Sequence, residues 1–384
     1  MTRIHVVVLG GGYAGTLAAN RLRRHRDVDV TLVNPRPAFI ERIRLHQYVA
    51  GTATATIDYP ELLGDGVHLL VDSATRIDAA DQRIQLASGS VVGYDFLIYA
   101  VGSTAAITPA VPGAAEFAHS IGEFESAARL ATRLAEVAAD APATVVGGGL
   151  TGIETAAELA GQGRAVTLVC GAGLGPSLSD PGRRSVAKSL RRLSVDVRQG
   201  VSVAQVRRDS VVLGDGTVLG SAVTIWTAGF GVPPLARASG LATDASGRLL
   251  TDRTLTSVEH PTIVGAGDAC APSGPALRMS CQAALPLGAQ AAETVLARIG
   301  GASPAPINQG FIGQCISVGR QHATIQVTRR DDTATQAYVA GRPGAVIKEA
   351  ICRITVRGIR REGAKPGSYR WLKGATDRAV RSHE

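Results

Sequence analysis

Short apolar runs alternate with helical patterns along the first 300 residues of the chain. Residues 6–9 form an apolar run that ends in a glycine-rich turn, and a helical stretch and a second apolar run at residues 28–33 follow it. Residues 144–169 repeat the same order of features. Apolar runs of this length that end in glycine are typical of strands buried in a parallel sheet. The pattern therefore predicts an α/β chain that contains two strand–turn–helix–strand units.

Both glycine-rich turns have the spacing G-x-G-x-x-G, and they lie 137 residues apart. Glycine lets the backbone turn sharply and approach a pyrophosphate, whose charge is stabilised by the N–H groups at the start of the following helix. One such motif is weak evidence, but two in the same context predict that the chain binds two dinucleotides and passes electrons between them. The glycines are Gly10, Gly12 and Gly15 in the first turn and Gly147, Gly149 and Gly152 in the second.

The segments after each turn also repeat. Residues 67–99 and residues 211–219 contain short strands and turns, which predict a small antiparallel meander in each unit. Residues 103–113, with two prolines, read as a linker between the units, and residues 262–268 form one more apolar strand that ends in Gly-Asp. A long alanine-rich helix is predicted at residues 280–299. This repetition indicates that one domain is nested in the other or duplicated beside it.

Composition narrows the class of protein. The 384 residues are 45% hydrophobic and 19% charged, as in ordinary globular proteins. The five cysteines are scattered without metal-ligand spacing, so no metal site is expected. No signal peptide or run of 18 apolar residues is apparent, which favours a cytoplasmic location. The net charge of +8 comes entirely from residues 301–384, with 14 basic and 6 acidic side chains.

Three further motifs extend the pattern of the two turns. Residues 98–103 (Ile-Tyr-Ala-Val-Gly-Ser) and residues 226–229 (Trp-Thr-Ala-Gly) each follow a meander, and residues 265–268 read Gly-Ala-Gly-Asp. With these motifs the chain resembles the two-dinucleotide-binding flavoprotein superfamily. Within it, the chain is most similar to type II NADH dehydrogenases and apoptosis-inducing-factor-like pyridine nucleotide oxidoreductases. The resemblance covers residues 1–300 well and the remainder loosely.

The resemblance implies an α/β fold of the glutathione-reductase type. Two nested Rossmann-like dinucleotide-binding domains carry antiparallel meander insertions, and a small C-terminal domain follows. By this resemblance, residues 1–108 and 240–300 form a discontinuous FAD-binding domain, and residues 109–239 form the NAD(P)H-binding domain. Residues 301–384 form a basic C-terminal domain for an interface or a membrane surface.

The same resemblance assigns cofactor-binding residues. FAD is expected at the first turn, the crossover, the Gly-Asp motif and the start of the long helix, and NAD(P)H at the second turn. For FAD these residues are Gly10, Gly12, Tyr13, Ala14, Gly15, Asn34, Arg44, Ala100, Gly102, Gly267, Asp268 and Cys281. For NAD(P)H they are Gly147, Gly149, Gly152, Cys170 and Gly229.

The implied chemistry is hydride transfer from NAD(P)H to the flavin, for which the protein supplies orientation and a water-poor pocket. Glu154 follows the second turn at a position that lies near the nicotinamide in the family, where it orients the ring or conducts protons. Alternatively, Glu154 complements the positive end of a helix. Gln282, and His46 in a loop with Arg44 and Gln47, are the other catalytic candidates. His46 is equally consistent with a packing histidine.

Two departures from the family pattern leave open which nicotinamide nucleotide, NADH or NADPH, the protein binds. The second strand of each dinucleotide-binding unit normally ends in Asp or Glu, which binds the ribose hydroxyls. Here those positions are Asn34 and Cys170. Asn34 still donates and accepts hydrogen bonds, but Cys170 cannot replace a carboxylate, and Arg183 and Arg184 follow it. Both NADH and NADPH therefore remain candidates.

The electron acceptor is also open. Disulfide-reducing relatives carry a cysteine pair in the stretch that corresponds to residues 39–47, and this chain has none there. Type II dehydrogenases pass electrons to a quinone beside A-Q-x-x-x-Q, of which the chain keeps Gln282 but has Pro286 at the second Gln. We expect a quinone-like acceptor. The alternatives are a soluble small molecule in a biosynthetic pathway and a non-catalytic redox-sensing flavoprotein.

The basic C-terminal segment suggests a surface interaction. Residues 346–361 predict a helix with Ile347, Ile351 and Ile354 on one side and basic residues around them. Peripheral contact with the inner face of the membrane through residues 346–372 is one interpretation, and a homodimer interface is the other. Nucleic-acid binding is not expected, because the segment lacks a recognised binding motif.

Overall fold

The computed structural model describes residues 3–374, and its elements alternate between strands and helices. The elements before the second glycine turn are β1 (Ile4–Leu9), α1 (Tyr13–Leu22), β2 (Val28–Asn34), β3 (Ala38–Ile40), α2 (Leu45–Val49), β4 (Thr56–Asp58), β5 (Val67–Val71), β6 (Ala74–Asp78), β7 (Arg83–Leu86), β8 (Val91–Gly93), β9 (Phe96–Tyr99), β10 (Thr104–Ala105), α3 (Ala114–Phe117), β11 (Ala118–Ser120), α4 (Phe124–Glu136) and β12 (Ala143–Val146).

The elements from the second turn onward include four helices of 12 or more residues, and the full series of helices and strands is as follows. They are α5 (Leu150–Gly161), β13 (Val166–Cys170), α6 (Asp180–Arg192), β14 (Asp196–Gln199), β15 (Val203–Val206), β16 (Ser210–Leu213), β17 (Val218–Gly220), β18 (Val223–Trp226), β19 (Phe230–Gly231), α7 (Leu235–Ala238), β20 (Leu249–Thr251), β21 (Ile263–Gly265), β22 (Cys270–Pro272), α8 (Cys281–Ile299), β23 (Gly313–Ser317), β24 (Ala323–Thr328), β25 (Ala334–Ala340) and α9 (Gly341–Ala364).

Two five-stranded parallel sheets confirm the predicted α/β class. The first has the order β21-β9-β1-β2-β5 and the second has the order β11-β18-β12-β13-β14. In each sheet the strand before the glycine turn, β1 or β12, lies between the strand after the helix and the strand after the meander. Both turns therefore lie at the carboxyl edge of a parallel sheet, where ligands of such sheets bind.

The first meander is shorter than predicted, and the second is longer because it includes β15. Residues 67–71 and 96–99 were expected in the first meander, but β5 and β9 pair in parallel with β2 and β1. The antiparallel meander consists of β6, β7 and β8 alone, and β15, β16 and β17 form the second one. Short apolar strands fit either kind of sheet, so sequence alone could not separate them. The proposed linker carries β10, which pairs with β19, and the predicted domain boundaries stay a prediction.

Helices α1 and α8 pack closely against each other on the first sheet. A side chain at Gly288 of α8 would place its Cβ 2.1 Å from the carbonyl oxygen of Ala14. Glycine at this position lets the two backbones approach, although glycine inside a helix costs about 1 kcal/mol relative to alanine. Pro286 lies inside α8 and does not shift its start, because Ser280 caps the helix by accepting a hydrogen bond from Ala283 N–H.

The C-terminal segment forms an antiparallel sheet, β23-β24-β25, followed by α9. The predicted helix at residues 346–361 is confirmed within α9. This helix is fixed to α1 by a buried ion pair in which Arg21 Nε donates to Glu362 Oε1 at 2.8 Å, and both side chains are almost fully buried. Glu362 also accepts hydrogen bonds from the N–H groups of Gly367 and Tyr369, both at 2.6 Å.

We expect Glu362→Gln to lower the free energy of unfolding by about 3 kcal/mol, because it removes the fully buried counter-charge of Arg21 and leaves that guanidinium only the partly exposed Glu293 carboxylate, at 3.3 Å. Urea denaturation with saturating FAD measures this change. The matched control is Glu61→Gln, which removes an exposed ion pair with Arg360 and should cost less than about 1 kcal/mol. Equal losses in the two variants would contradict the structural role of the buried pair.

Candidate active site

The first glycine turn is held so close to its neighbours that only glycine fits at two of its positions. Gly10 has a φ of +104°, and a Cβ there would lie 2.4 Å from the carbonyl oxygen of Ala100. A Cβ at Gly15 would lie 1.8 Å from the carbonyl oxygen of Gly10. At Gly12, which caps the N-terminus of α1, a Cβ would meet nothing within 4 Å. The helix N-terminus therefore faces open space, as an anion site requires.

The second turn repeats this geometry. Gly147 has a φ of +125°, and a Cβ there would lie 2.5 Å from the hydroxyl oxygen of Thr227. A Cβ at Gly152 would lie 1.9 Å from the carbonyl oxygen of Gly147, whereas one at Gly149 would meet nothing within 4 Å. Gly149 caps α5, so a second helix N-terminus faces open space.

The residues that end β2 and β13 support the two turns differently. Asn34 Oδ1 accepts a hydrogen bond from Gly11 N–H at 2.9 Å, and the Tyr59 hydroxyl donates to Gly11 O at 2.7 Å. Cys170, at the corresponding place in the second unit, is fully buried against Gly148. Burial raises the pKa of the Cys170 thiol to about 11. The second unit therefore has a neutral thiol where the first has a hydrogen-bonding amide.

A cleft of about 290 Å³ runs from the first turn along the carboxyl edge of the first sheet. Arg42 lies in its wall and donates from Nη1 to the carbonyl oxygen (2.9 Å) and the hydroxyl oxygen (3.1 Å) of Ser103. The Ser103 hydroxyl in turn donates to Asp268 Oδ2 at 2.7 Å. Burial lowers the pKa of Arg42. This series of hydrogen bonds connects three loops that were predicted at the FAD site.

A buried polar cluster lies where α5 meets the C-terminal segment. Lys348 Nζ donates to Glu154 Oε1 at 2.8 Å and to Cys315 O at 3.1 Å. The same carboxylate oxygen accepts from Ser317 N–H at 2.9 Å and lies 3.2 Å from the Ser317 hydroxyl. That hydroxyl is 3.1 Å from His46 Nε2, and His46 Nδ1 is 3.8 Å from Glu154 Oε2. We call Glu154, Lys348, Ser317 and His46 the polar cluster.

Burial and charge set the protonation states of the polar cluster. Burial lowers the pKa of His46 to about 4, so its imidazole is neutral at pH 7. Burial acts to raise the pKa of Glu154, but the charge of the Lys348 ammonium and the surrounding polar groups, including the hydrogen bonds from Lys348 and Ser317 N–H, together lower the pKa below the ordinary value. Burial acts to lower the pKa of Lys348, and the Glu154 carboxylate raises it. The pair is therefore ionised, with a protonated lysine held inside the protein.

Several other predicted residues have identified neighbours. The Arg44 guanidinium donates to both carboxylate oxygens of Glu349 on α9, each at 3.0 Å. In the amide orientation that satisfies both of its polar atoms, Gln282 donates to Gly313 O at 3.0 Å and accepts from Ile312 N–H at 3.1 Å. Burial raises the pKa of Cys281, the first residue of α8, to about 11. Their assigned roles stay predictions, and Arg44 and Gln282 are engaged with the C-terminal segment.

The remaining predicted residues lie around the two turns. The Tyr13 hydroxyl is buried without a hydrogen-bond partner among the described residues, and its ring packs edge-on against Phe39 with 5.1 Å between centroids. Three glycines in the connecting loops have left-handed backbones, with φ values between +70° and +82°: they are Gly102, Gly229 and Gly267.

Sequence reasoning missed four residues of this region, namely Arg42, Ser103, Ser317 and Lys348. Each is brought to the site by contacts between distant segments, such as the 194-residue separation of Glu154 and Lys348. One signal was available for Lys348, because the chain contains only four lysines among 40 basic residues. Because lysine is rare in this chain, Lys348 was a more selective candidate for a functional residue than any of the arginines.

The family model for pyridine nucleotide-disulphide oxidoreductases matches residues 4–288. An NADH dehydrogenase-like protein of Mycobacterium tuberculosis (strain H37Rv) is 35% identical over 327 residues, which cover 77% of this chain and 80% of that protein. The type II NADH:quinone oxidoreductase Ndh of the same organism is 28% identical over 378 residues, covering 85% and 80%. The solved structure of NDH2 from Plasmodium falciparum in complex with NADH has the same fold, with a TM-score of 0.79 at 14% identity over 97% of this chain and all of that one.

The chain belongs to the pyridine nucleotide-disulphide oxidoreductase family and is an FAD-dependent NAD(P)H oxidoreductase. The observed residues fit its cofactors. Open space above Gly12 and Gly149 at two helix N-termini suits a pyrophosphate at each turn. The unpartnered Tyr13 hydroxyl is a buried polar group that a bound molecule would satisfy.

Gly12→Val and Gly149→Val separate the two nucleotide sites. Because a Cβ meets no protein atom at either position, we expect both variants to fold. Gly12→Val should reduce FAD retention at least about tenfold, since the side chain occupies the space for the pyrophosphate. Gly149→Val should retain FAD but lose reduction by NAD(P)H. Flavin absorbance per protein measures FAD retention, and anaerobic bleaching measures reduction by NAD(P)H. Loss of both properties in Gly149→Val would contradict the assignment. A Gly12→Val variant that stays yellow would contradict it as well.

Proposed function

We propose that this enzyme passes the electrons of NAD(P)H, by way of FAD, to a quinone-like acceptor. The observation that carries the proposal is the polar cluster, which keeps a protonated lysine inside the protein beside the second nucleotide site. Reduction of a quinone to a quinol takes up two electrons and two protons. A hydride supplies both electrons and one proton, so a second proton must reach the acceptor from the protein.

Bound FAD would accept a hydride from NAD(P)H and release two electrons to the acceptor. The chain's own residues bind and orient the two nucleotides. Gly10, Gly12 and Gly15 would hold the FAD pyrophosphate, and the Arg42–Ser103–Asp268 chain would order the loops beside it. Gly147, Gly149 and Gly152 would hold the nicotinamide nucleotide at the N-terminus of α5.

The polar cluster would conduct the additional proton to the acceptor. Lys348 holds a proton at Nζ, Glu154 accepts a hydrogen bond from it, and the Ser317 hydroxyl lies between Glu154 and the neutral imidazole of His46. A neutral imidazole both donates and accepts hydrogen bonds, so His46 can return a proton to the cluster. Of the two roles considered for Glu154, these contacts favour the proton route.

The relatives and one structural detail support different acceptors. The printed name of one relative, a type II NADH:quinone oxidoreductase, supports a quinone. In contrast, Gln282 uses its amide on the backbone of Ile312 and Gly313, and Pro286 has no side-chain donor. Of the two N–H donors of the Gln282 amide, one is used on Gly313 O, so these two positions leave at most one donor for a quinone carbonyl. This favours, as a second candidate, a soluble small molecule in a biosynthetic pathway.

Lys348→Met tests the proton supply. We expect NAD(P)H to bleach the flavin of this variant at close to the wild-type rate. Reoxidation by a short-chain quinone at neutral pH should slow by a factor on the order of 10², because the ammonium group that keeps Glu154 ionised in the proton route is lost. Anaerobic stopped-flow absorbance near the flavin maximum measures both half-reactions separately.

The matched control is Lys365→Met, which removes an exposed lysine just after α9 and should change neither rate. Unchanged quinone reoxidation in Lys348→Met would contradict the role of the polar cluster. Wild-type reoxidation by quinone no faster than by oxygen would contradict the quinone itself and favour the soluble acceptor.

The exposed face of α9 is proposed as a contact with the membrane surface. Val346 and Ile354 are 70% and 65% exposed, and Ile347 and Ile351 lie on the same side. Arginines flank this face at positions 353, 357, 360 and 361. An apolar stripe flanked by arginines suits an interface with anionic lipid. No helix within residues 3–374 is long and apolar enough to cross a membrane. A homodimer seam is the other occupant proposed for this face.

Ile354→Asp should weaken binding to vesicles that contain phosphatidylglycerol by at least about tenfold, because it removes a large apolar contact and adds a negative charge. Cosedimentation measures the bound fraction. The control is Val218→Asp, at an exposed position of β17 outside α9. This variant should bind the vesicles as the wild type does. The homodimer would be favoured if the wild type does not bind these vesicles but dimerises, and if Ile354→Asp abolishes the dimer.

A further inference from the structure

The end of β13 determines what the ribose of the nicotinamide nucleotide would meet. Strand β13 ends at Cys170, and its neighbour in the sheet is Gln199 of β14. The thiol of Cys170 is fully buried, and a Cβ built on Gly148 would lie 2.9 Å from its sulfur. The thiol therefore packs against the turn and presents no charged group to a ligand bound there.

The loop that follows Cys170 is also uncharged. Residues 171–178 read Gly-Ala-Gly-Leu-Gly-Pro-Ser-Leu, with neither an acidic nor a basic side chain. Its backbone is tied down locally, since Leu174 N–H donates to Gln199 Oε1 at 3.2 Å and Gly175 N–H donates to Gly148 O at 2.8 Å. The loop is thus fixed against the turn and carries only neutral groups.

The nearest arginine in sequence is already engaged. Arg183 Nη2 donates to the carbonyl oxygen of Leu178 at 3.2 Å, and Nη1 lies 3.4 Å from Asp180 Oδ1. Both partners precede Arg183 at the start of α6, so its guanidinium is directed to the helix N-terminus. Of the two arginines considered for a 2′-phosphate, this one is paired with a carboxylate.

Discrimination between NADH and NADPH depends on charge at this place. A carboxylate at the end of the second strand binds the ribose hydroxyls of NADH and repels the 2′-phosphate of NADPH, whereas an arginine binds that phosphate. Here the end of the strand and the following loop provide neither group. The strand end and this loop therefore lack both the attraction and the repulsion on which selection depends. Arg198 of β14, beside Val169 in the sheet, is paired with Asp196 at 2.8 Å, and Arg184 is exposed on α6 outside the loop.

We propose that the hydride-donor site accepts NADH and NADPH with affinities within about tenfold of each other. The inference concerns the reaction of the enzyme with NAD(P)H and does not depend on which acceptor takes the electrons afterwards. It identifies the uncharged end of β13 and residues 171–178 as the specificity-determining surface.

Calorimetric titration of the FAD-loaded enzyme tests this directly. The probes are tetrahydro-NADH and tetrahydro-NADPH, which bind as the substrates do but cannot give a hydride. We expect dissociation constants within about tenfold of each other, and a similar ratio of kcat/KM for anaerobic flavin reduction by NADH and NADPH. A wild-type preference on the order of 10² or more for either nucleotide, in binding or in reduction, would overturn the proposal.

Two substitutions should create the missing selectivity in opposite directions. Cys170→Asp should favour the NADH analogue by about tenfold or more, and Ala172→Arg, at an exposed loop position, should favour the NADPH analogue similarly. Ala172→Gln is the control, because it adds a long side chain without a charge and should leave the ratio unchanged. Failure of Ala172→Arg to alter the ratio would also contradict the proposed location, whether or not Cys170→Asp folds.

Discussion

Two buried ion pairs on one helix hold the C-terminal segment against both nucleotide-binding units. Lys348 near the start of α9 pairs with Glu154 on α5, and Glu362 near its end pairs with Arg21 on α1. These positions on α9 are 14 residues apart, which corresponds to about 21 Å along a helix. Because α1 and α5 are the helices that follow the two glycine turns, α9 connects the two nucleotide sites directly.

The two pairs are not equivalent in what they contribute. Burying an ion pair gains little stability compared with apolar side chains of the same size, so its presence calls for another reason. For Arg21 and Glu362 the surrounding hydrogen bonds to Gly367 and Tyr369 indicate that the pair orders the chain after α9. For Glu154 and Lys348 the neighbours are Ser317 and His46, which are groups that exchange protons. The first pair therefore has a structural explanation and the second favours a chemical one.

The sequence predicted the local parts of this arrangement well. The two glycine turns, their parallel strands and α9 are encoded in contiguous stretches whose pattern is specific. The strands β5 and β9 were misassigned to a meander, because a run of four or five apolar residues fits several sheets. Arg44 was expected at the flavin, yet its partner is Glu349, 305 residues away. Such a pairing depends on the packing of α9 and leaves no signal within the loop itself.

The residues proposed to select the hydride donor are also separate from the residues proposed to conduct protons. The uncharged ribose surface lies at the end of β13 and in residues 171–178, whereas the polar cluster lies between α5 and the C-terminal segment, and they have no residue in common. Free-energy changes at sites without shared partners are close to additive. The selectivity of the first half-reaction and the rate of the second should therefore change independently under mutation. This independence follows from the position of α5, whose N-terminus faces the nucleotide and whose second turn carries Glu154 toward α9.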